Sequence, residues 1–141
     1  MRFRKVVLTA ALMAFATPVI AHVRVVPGES KPGVRQTYTV RVPTEGSIAT
    51  TSVELEIPPG LSVASAPPGS EVKTIGGSIT SITWRAQIAP GESRDFIFDA
   101  VNPAQAQSLV WKAHQHFADG SVADWIEPAG GRRPAATTKL Q

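Results

Sequence analysis

From residue 22 onward the chain alternates apolar and polar positions in short runs, each closed by proline or glycine. Val53-Glu54-Leu55-Glu56-Ile57 is apolar at every odd position and stops at Pro58-Pro59-Gly60. Residues 36–42 (Q-T-Y-T-V-R-V) alternate in the same way and end at Pro43. A period of two sends side chains to opposite faces of an extended chain, so such runs predict half-buried strands. Further strands are predicted over residues 22–26, 61–65, 71–75, 79–86, 93–100, 109–117 and 121–126. Asp119-Gly120 separates the last two and is a strong two-residue hairpin signal. That loop sets His116 opposite Ala123 and His114 opposite Trp125. Beyond one short turn near residues 104–108, no helical periodicity follows residue 22. Eight or nine short strands at this spacing predict an all-β fold, an immunoglobulin-like β-sandwich. Residues 129–141, which include G-G-R-R-P-A-A-T-T-K-L-Q, lack apolar periodicity and are expected to form a flexible C-terminal tail.

The first 21 residues follow a different pattern. Arg2, Arg4 and Lys5 form a positive start, residues 6–20 are mostly apolar, and Val19-Ile20-Ala21 supplies the small-residue pattern of a cleavage site. Residues 1–21 therefore read as a cleaved signal peptide, and the product is exported to a periplasm or an extracellular space. Of 14 Lys and Arg in the chain, three lie in this segment; the remaining eleven equal the 11 Asp and Glu. The mature domain is formally neutral, and nothing in its charge points to nucleic acid or an anionic membrane. With 0 Cys, thiolate metal sites and disulfides are excluded. Both methionines, Met1 and Met13, fall in the signal, so no thioether ligand remains. No later apolar run approaches the ~20 residues that span a bilayer, so no membrane anchor is expected after cleavage.

Cleavage after Ala21 makes His22 the first residue of the mature protein. A terminal histidine offers two nitrogens, the free α-amine and ring Nδ1. Together they close a chelate ring on a metal such as copper(II), which favours nitrogen and imidazole donors. If the first two strands form a hairpin, His22 lies beside the end of the second, where Glu45 follows in Val42-Pro43-Thr44-Glu45. A carboxylate there can swing toward the amine; a solvated loop glutamate is the plainer alternative. His114 and His116 share one face of a strand, a possible metal pair or simply exposed polar alternation. Trp111, Ala113 and Phe117 occupy the other face, and Trp84 and Trp111 read as core. Trp125 reads as an aromatic at the rim of the sandwich. No G-x-S-x-G, P-loop or H-E-x-x-H marks a catalytic site.

Several segments recur together in a known order: H-V-R-V-V-P, T-Y-T-V-R-V-P-T-E, A-T-T-S-V-E-L-E-I-P-P-G, I-T-W, I-A-P-G-E-S-R-D-F-I-F and Q-H-F-A-D-G-S-V-A-D-W-I-E-P. This set resembles the YcnI-like copper-binding domain family of exported bacterial proteins, over residues 22–128. The resemblance implies an immunoglobulin-like sandwich and a copper(II) site in which a terminal histidine, a carboxylate and a nearby tryptophan form a brace with a single histidine. Carried over, His22 and Glu45 are the metal ligands and Trp125 is the tryptophan of the site, with Glu54 and Glu127 as competing acids. The implied role is non-enzymatic: storage, buffering or delivery of copper, with a copper-transport or copper-acceptor protein as partner. Two alternatives stand beside it. A second imidazole from His114 or His116 would make the full histidine brace of an oxidative copper enzyme, and a β-sandwich can also serve as a metal-free interaction module.

Overall fold

The structure, a computed structural model, describes residues 22–141 together with Ala11 and Met13. Apart from those two positions, the expected signal peptide over residues 1–21 lies outside the described residues. Among the described residues there are eleven strands and no helix. They are β1 (Arg24–Val26), β2 (Glu29–Ser30), β3 (Arg35–Pro43), β4 (Thr50–Glu56), β5 (Ser70–Ile75), β6 (Ser78–Ile88), β7 (Ser93–Val101), β8 (Gln107–Trp111), β9 (Ala113–Phe117), β10 (Val122–Trp125) and β11 (Ala136–Leu140). The strand order is β10-β9-β4-β6-β5 in a five-stranded sheet, β1-β3-β7 in a second sheet and β2-β11-β8 in a third. The all-β, immunoglobulin-like class expected from the alternation is the class observed.

The inward positions form one core. Val40 and Val42 of β3, Val53 and Leu55 of β4, Ile82 and Trp84 of β6, Phe98 of β7 and Leu109 and Trp111 of β8 are all buried. Aromatic rings join the sheets: Trp84 stacks on Phe96 at 5.2 Å between centroids, and Tyr38 meets Trp111 at 4.9 Å. Such pairs contribute about 0.5–1.5 kcal/mol each beyond their buried area.

Three expectations are corrected. The run over residues 61–65 is not a strand; it makes a single bridge, Ser62 to Val101. The run over 109–117 is two strands in two sheets. Alternation continues unbroken through it, with Leu109, Trp111, Ala113 and Gln115 buried, but β8 pairs with β11 whereas β9 pairs with β4 and β10. A chain that changes sheets at a corner keeps its period while changing partners, which sequence periodicity does not register.

The third correction concerns residues 129–141. The segment is not a flexible tail: β11 lies between two strands, antiparallel to β8 and parallel to β2. Thr138 and Leu140 are buried, and the Trp111 indole N–H donates to Thr138 Oγ1 at 3.0 Å. The pattern of Ala136–Leu140 does alternate. Its inward residues include a threonine, whose burial is tolerable only because the hydroxyl finds Trp111 and the Pro27 carbonyl.

Candidate functional site

β1 pairs antiparallel with β3 through Arg24–Arg41, Val25–Val40 and Val26–Thr39. Continuing that register by two residues brings His22 alongside Pro43, two positions before Glu45. The hairpin expected from alternation therefore delivers His22 to the end of β3. Thr44 is buried and fixed there: its backbone N–H donates to Glu92 O and its hydroxyl donates to Ile88 O at 2.9 Å. Glu45 is the next residue and is exposed.

The register of the β9–β10 hairpin differs by one residue from the expected one. His116 faces Val122, Gln115 faces Ala123, His114 faces Asp124 and Ala113 faces Trp125. The loop holds three residues rather than two, closed by Phe117 N–H to Ser121 O at 3.0 Å, with Gly120 at φ 84°. A three-residue loop of this kind needs a left-handed third position, which glycine adopts without steric penalty. One residue of slip exchanges the faces of a whole strand relative to its partner. Trp125 is thus buried on the inward face with Gln115 and Ala123, and His114 and His116 lie on the other face.

On the inward face, the His22 and Trp125 rings lie 5.6 Å apart between centroids, tilted by 53°. Trp125 Nε1 donates to Gln115 Oε1 at 3.0 Å. Gln115 Nε2 in turn donates to Pro43 O at 2.9 Å and Thr50 Oγ1 at 2.7 Å. Trp125, Gln115, Pro43 and Glu45 share a surface pocket of about 400 Å³, whose wall also includes Phe117, Arg132 and Arg133. The arginines arrive on the loop between Glu127 and β11. There Gly131 sits so close to Glu127 that an added Cβ would meet Glu127 Cβ at 2.8 Å. Sequence reasoning missed both arginines by treating their segment as a tail. It also missed Gln115, although that residue shares the inward parity of Trp111 and Ala113.

Glu54 and Glu127, the other two candidate acids, lie at different places in the fold. Glu54 accepts from Lys73 Nζ at 3.2 Å and sits opposite His114 on the outward face. Glu127 Oε2 accepts the Arg133 backbone N–H at 2.8 Å, fastening its own loop. His114 is held between two carboxylates, with Nδ1 2.6 Å from Asp124 and Nε2 2.8 Å from Glu56. Neither outward histidine shares a face with Trp125, so the pair that a full histidine brace would need is not assembled.

Burial pulls the His114 pKa down, but the hydrogen bonds and charges of Asp124 and Glu56 outweigh it and leave the pKa above the usual histidine value of 6.5. A group bound more tightly in its protonated form stabilises the fold fully below its unfolded pKa and loses that contribution as pH rises through the folded value. Melting temperature should therefore decline by a few degrees as pH rises from about 6.5 through the raised pKa. His114→Gln should flatten that decline; an unchanged pH profile in the variant would mean that the clamp contributes nothing.

Among the described residues, no group of three or more His, Cys, Asp and Glu side chains converges as a metal cage. His22 lies against Trp125 and Glu45 lines a pocket that Trp125 also lines, so these are the two candidate side-chain donors; a third exists only if the α-amine of His22 is free. A copper ion held by these residues would need that amine as well as the two side chains.

Residues 66–140 match the family described as a domain of unknown function, DUF1775. The chain belongs to this family. The chain is 34% identical over 140 residues to the copper-binding protein CutI of Bacillus subtilis (strain 168), covering 94% of this chain and 69% of that one. The match agrees with the YcnI-like resemblance of the sequence motifs. The DUF1775 chain is also similar to an uncharacterized protein from Nocardia farcinica whose crystal structure reveals an immunoglobulin-like fold. The two share 27% identity and a TM-score of 0.70, over 84% of this chain and 97% of the other.

Proposed function

We propose that this member of the DUF1775 family is an exported copper(II)-binding protein that stores, buffers or delivers the ion. Signal cleavage after Ala21 frees the His22 amine, and the amine and Nδ1 chelate the metal from one residue. Glu45 adds an oxygen and offsets part of the ionic charge. Trp125 covers the site without coordinating, because an indole N–H is a donor only and here already donates to Gln115. The observation that carries this reading is the His22–Trp125 ring contact at 5.6 Å, at the end of β3 from which Glu45 follows. The copper-binding name of a relative 34% identical to this chain supports the choice of metal. The role is transport or buffering rather than catalysis, in the periplasm or outside the cell, with a copper-acceptor protein as partner.

Spectroscopy of the mature protein tests the assignment. Copper(II) should quench tryptophan fluorescence, and Trp125→Phe should remove most of that response, because Trp84 and Trp111 lie in the aromatic core. Glu45→Gln keeps the side-chain shape and removes its charge, and should alter the electron paramagnetic resonance spectrum and lower affinity about tenfold, about 1.4 kcal/mol. Undiminished quenching in Trp125→Phe would move the metal elsewhere. An unchanged spectrum and affinity in Glu45→Gln would remove Glu45 from the ligand set.

A further inference from the structure

We propose that Gln115 is the positioning residue of this site: its buried amide holds Trp125 against His22 and ties the indole to the strand end that carries Glu45. The inference rests on the copper reading above and adds a residue that the reading does not need. Gln115 is 1% exposed, and its amide hydrogen-bonds to three partners on three different elements: Trp125 of β10, Pro43 of β3 and Thr50 of β4. A glutamine buried this deeply in a β-sandwich core is expensive unless its polar atoms are matched, and here both donors are used.

The orientation of the amide is forced. Trp125 Nε1 can only donate and Pro43 O can only accept, so Oε1 must face the indole and Nε2 the carbonyl. The direction then propagates. Thr44 donates to Ile88 O, so the 2.7 Å contact between Thr44 and Thr50 requires Thr50 to be its donor. The buried line therefore runs Trp125 to Gln115 to Thr50 to Thr44 to Ile88 O, each hydroxyl or N–H used once. Bonds aligned in one direction polarise and strengthen one another in a low-dielectric interior. Thr44 lies between Pro43 and Glu45, so one chain fixes both the cover of the site and the approach to its acid.

Partners of this kind behind a metal site change affinity about 10- to 100-fold when removed. Gln115→Leu keeps the bulk and deletes every bond. It should lower copper(II) affinity about 10- to 100-fold and shift the tryptophan emission of the copper-free protein, because Trp125 loses its acceptor. Gln115→Glu supplies the finer readout. Its neutral acid can donate from O–H and accept from the indole, whereas its anion can only accept. Burial will raise its pKa. In copper-free Gln115→Glu the indole emission should resemble wild type in acid and depart from it as the acid ionises. His22, Glu45, Arg132 and Arg133 are the charged or titratable neighbours of the indole and its pocket. Wild type carries them all, so its own profile subtracts their contribution.

A cooperatively unfolding Gln115→Leu protein with wild-type affinity overturns the proposal. If that variant does not fold, an indole signal in Gln115→Glu that follows the wild-type pH profile overturns it instead. His22→Ala separates the two readings. Retained affinity there defeats the copper site itself, while the copper-free emission still reports whether Gln115 holds Trp125.

Discussion

Acetylating the α-amine of His22 in the mature protein will lower copper(II) affinity by about a hundredfold or more, although every side chain is intact. The amine and Nδ1 belong to one residue, so once either binds, the other is held at high effective concentration, and joining two weak donors raises affinity about 10²–10⁴-fold. On the proposed ligand set, removing the amine leaves an imidazole and a carboxylate, too few donors to hold the ion against solvent. Selective modification near neutral pH exploits the generally lower basicity of an α-amine than of a lysine amine. His22→Ala should be at least as severe, since it keeps the amine and loses the ring that rests against Trp125. Isothermal titration of the three proteins against a competing chelator measures the effect. Equal affinity in the acetylated protein would remove the amine from the proposed site.

Truncation after Pro128 will destabilise the domain by at least about 3 kcal/mol, a large part of the ~5–15 kcal/mol that holds most domains together. The loss has separable causes. Leu140, 2% exposed, leaves the core, which costs roughly 2–3 kcal/mol. The buried Trp111 N–H loses Thr138 Oγ1 and is left unsatisfied, a further ~1–3 kcal/mol. β8 and β2 lose their shared partner, exposing two unpaired edges. A melting temperature lower by roughly 15 °C, or failure to fold, is the expected result. Thr138→Val isolates the hydrogen-bond part, because it keeps volume and β-branching while removing the hydroxyl. A truncated protein melting with the full-length chain would return residues 129–141 to the status of a tail.

Alternation in residues 36–42 and 53–57 was enough to identify β3 and β4, because a strand packed on one face must repeat every two residues. The same logic carried His22 to the end of β3, since a hairpin between neighbouring strands leaves few registers that bury both apolar faces. Tertiary structure alone decided the rest. The sequence marks the β9–β10 turn at Asp119-Gly120 as two residues long, whereas the loop has three, and that one residue of register moves His114 and His116 away from Trp125 and brings Gln115 to it. Likewise, Ala136–Leu140 carries too little apolar surface to declare itself; it is a strand because β2 and β8 present unpaired edges and Trp111 a buried N–H on either side of where it lies. Local periodicity determines which residues face inward on a strand, since that depends only on the pleat. Which strands meet, and in which register, depends on partners far along the chain, and so on the satisfaction of buried polar groups that only the assembled core defines.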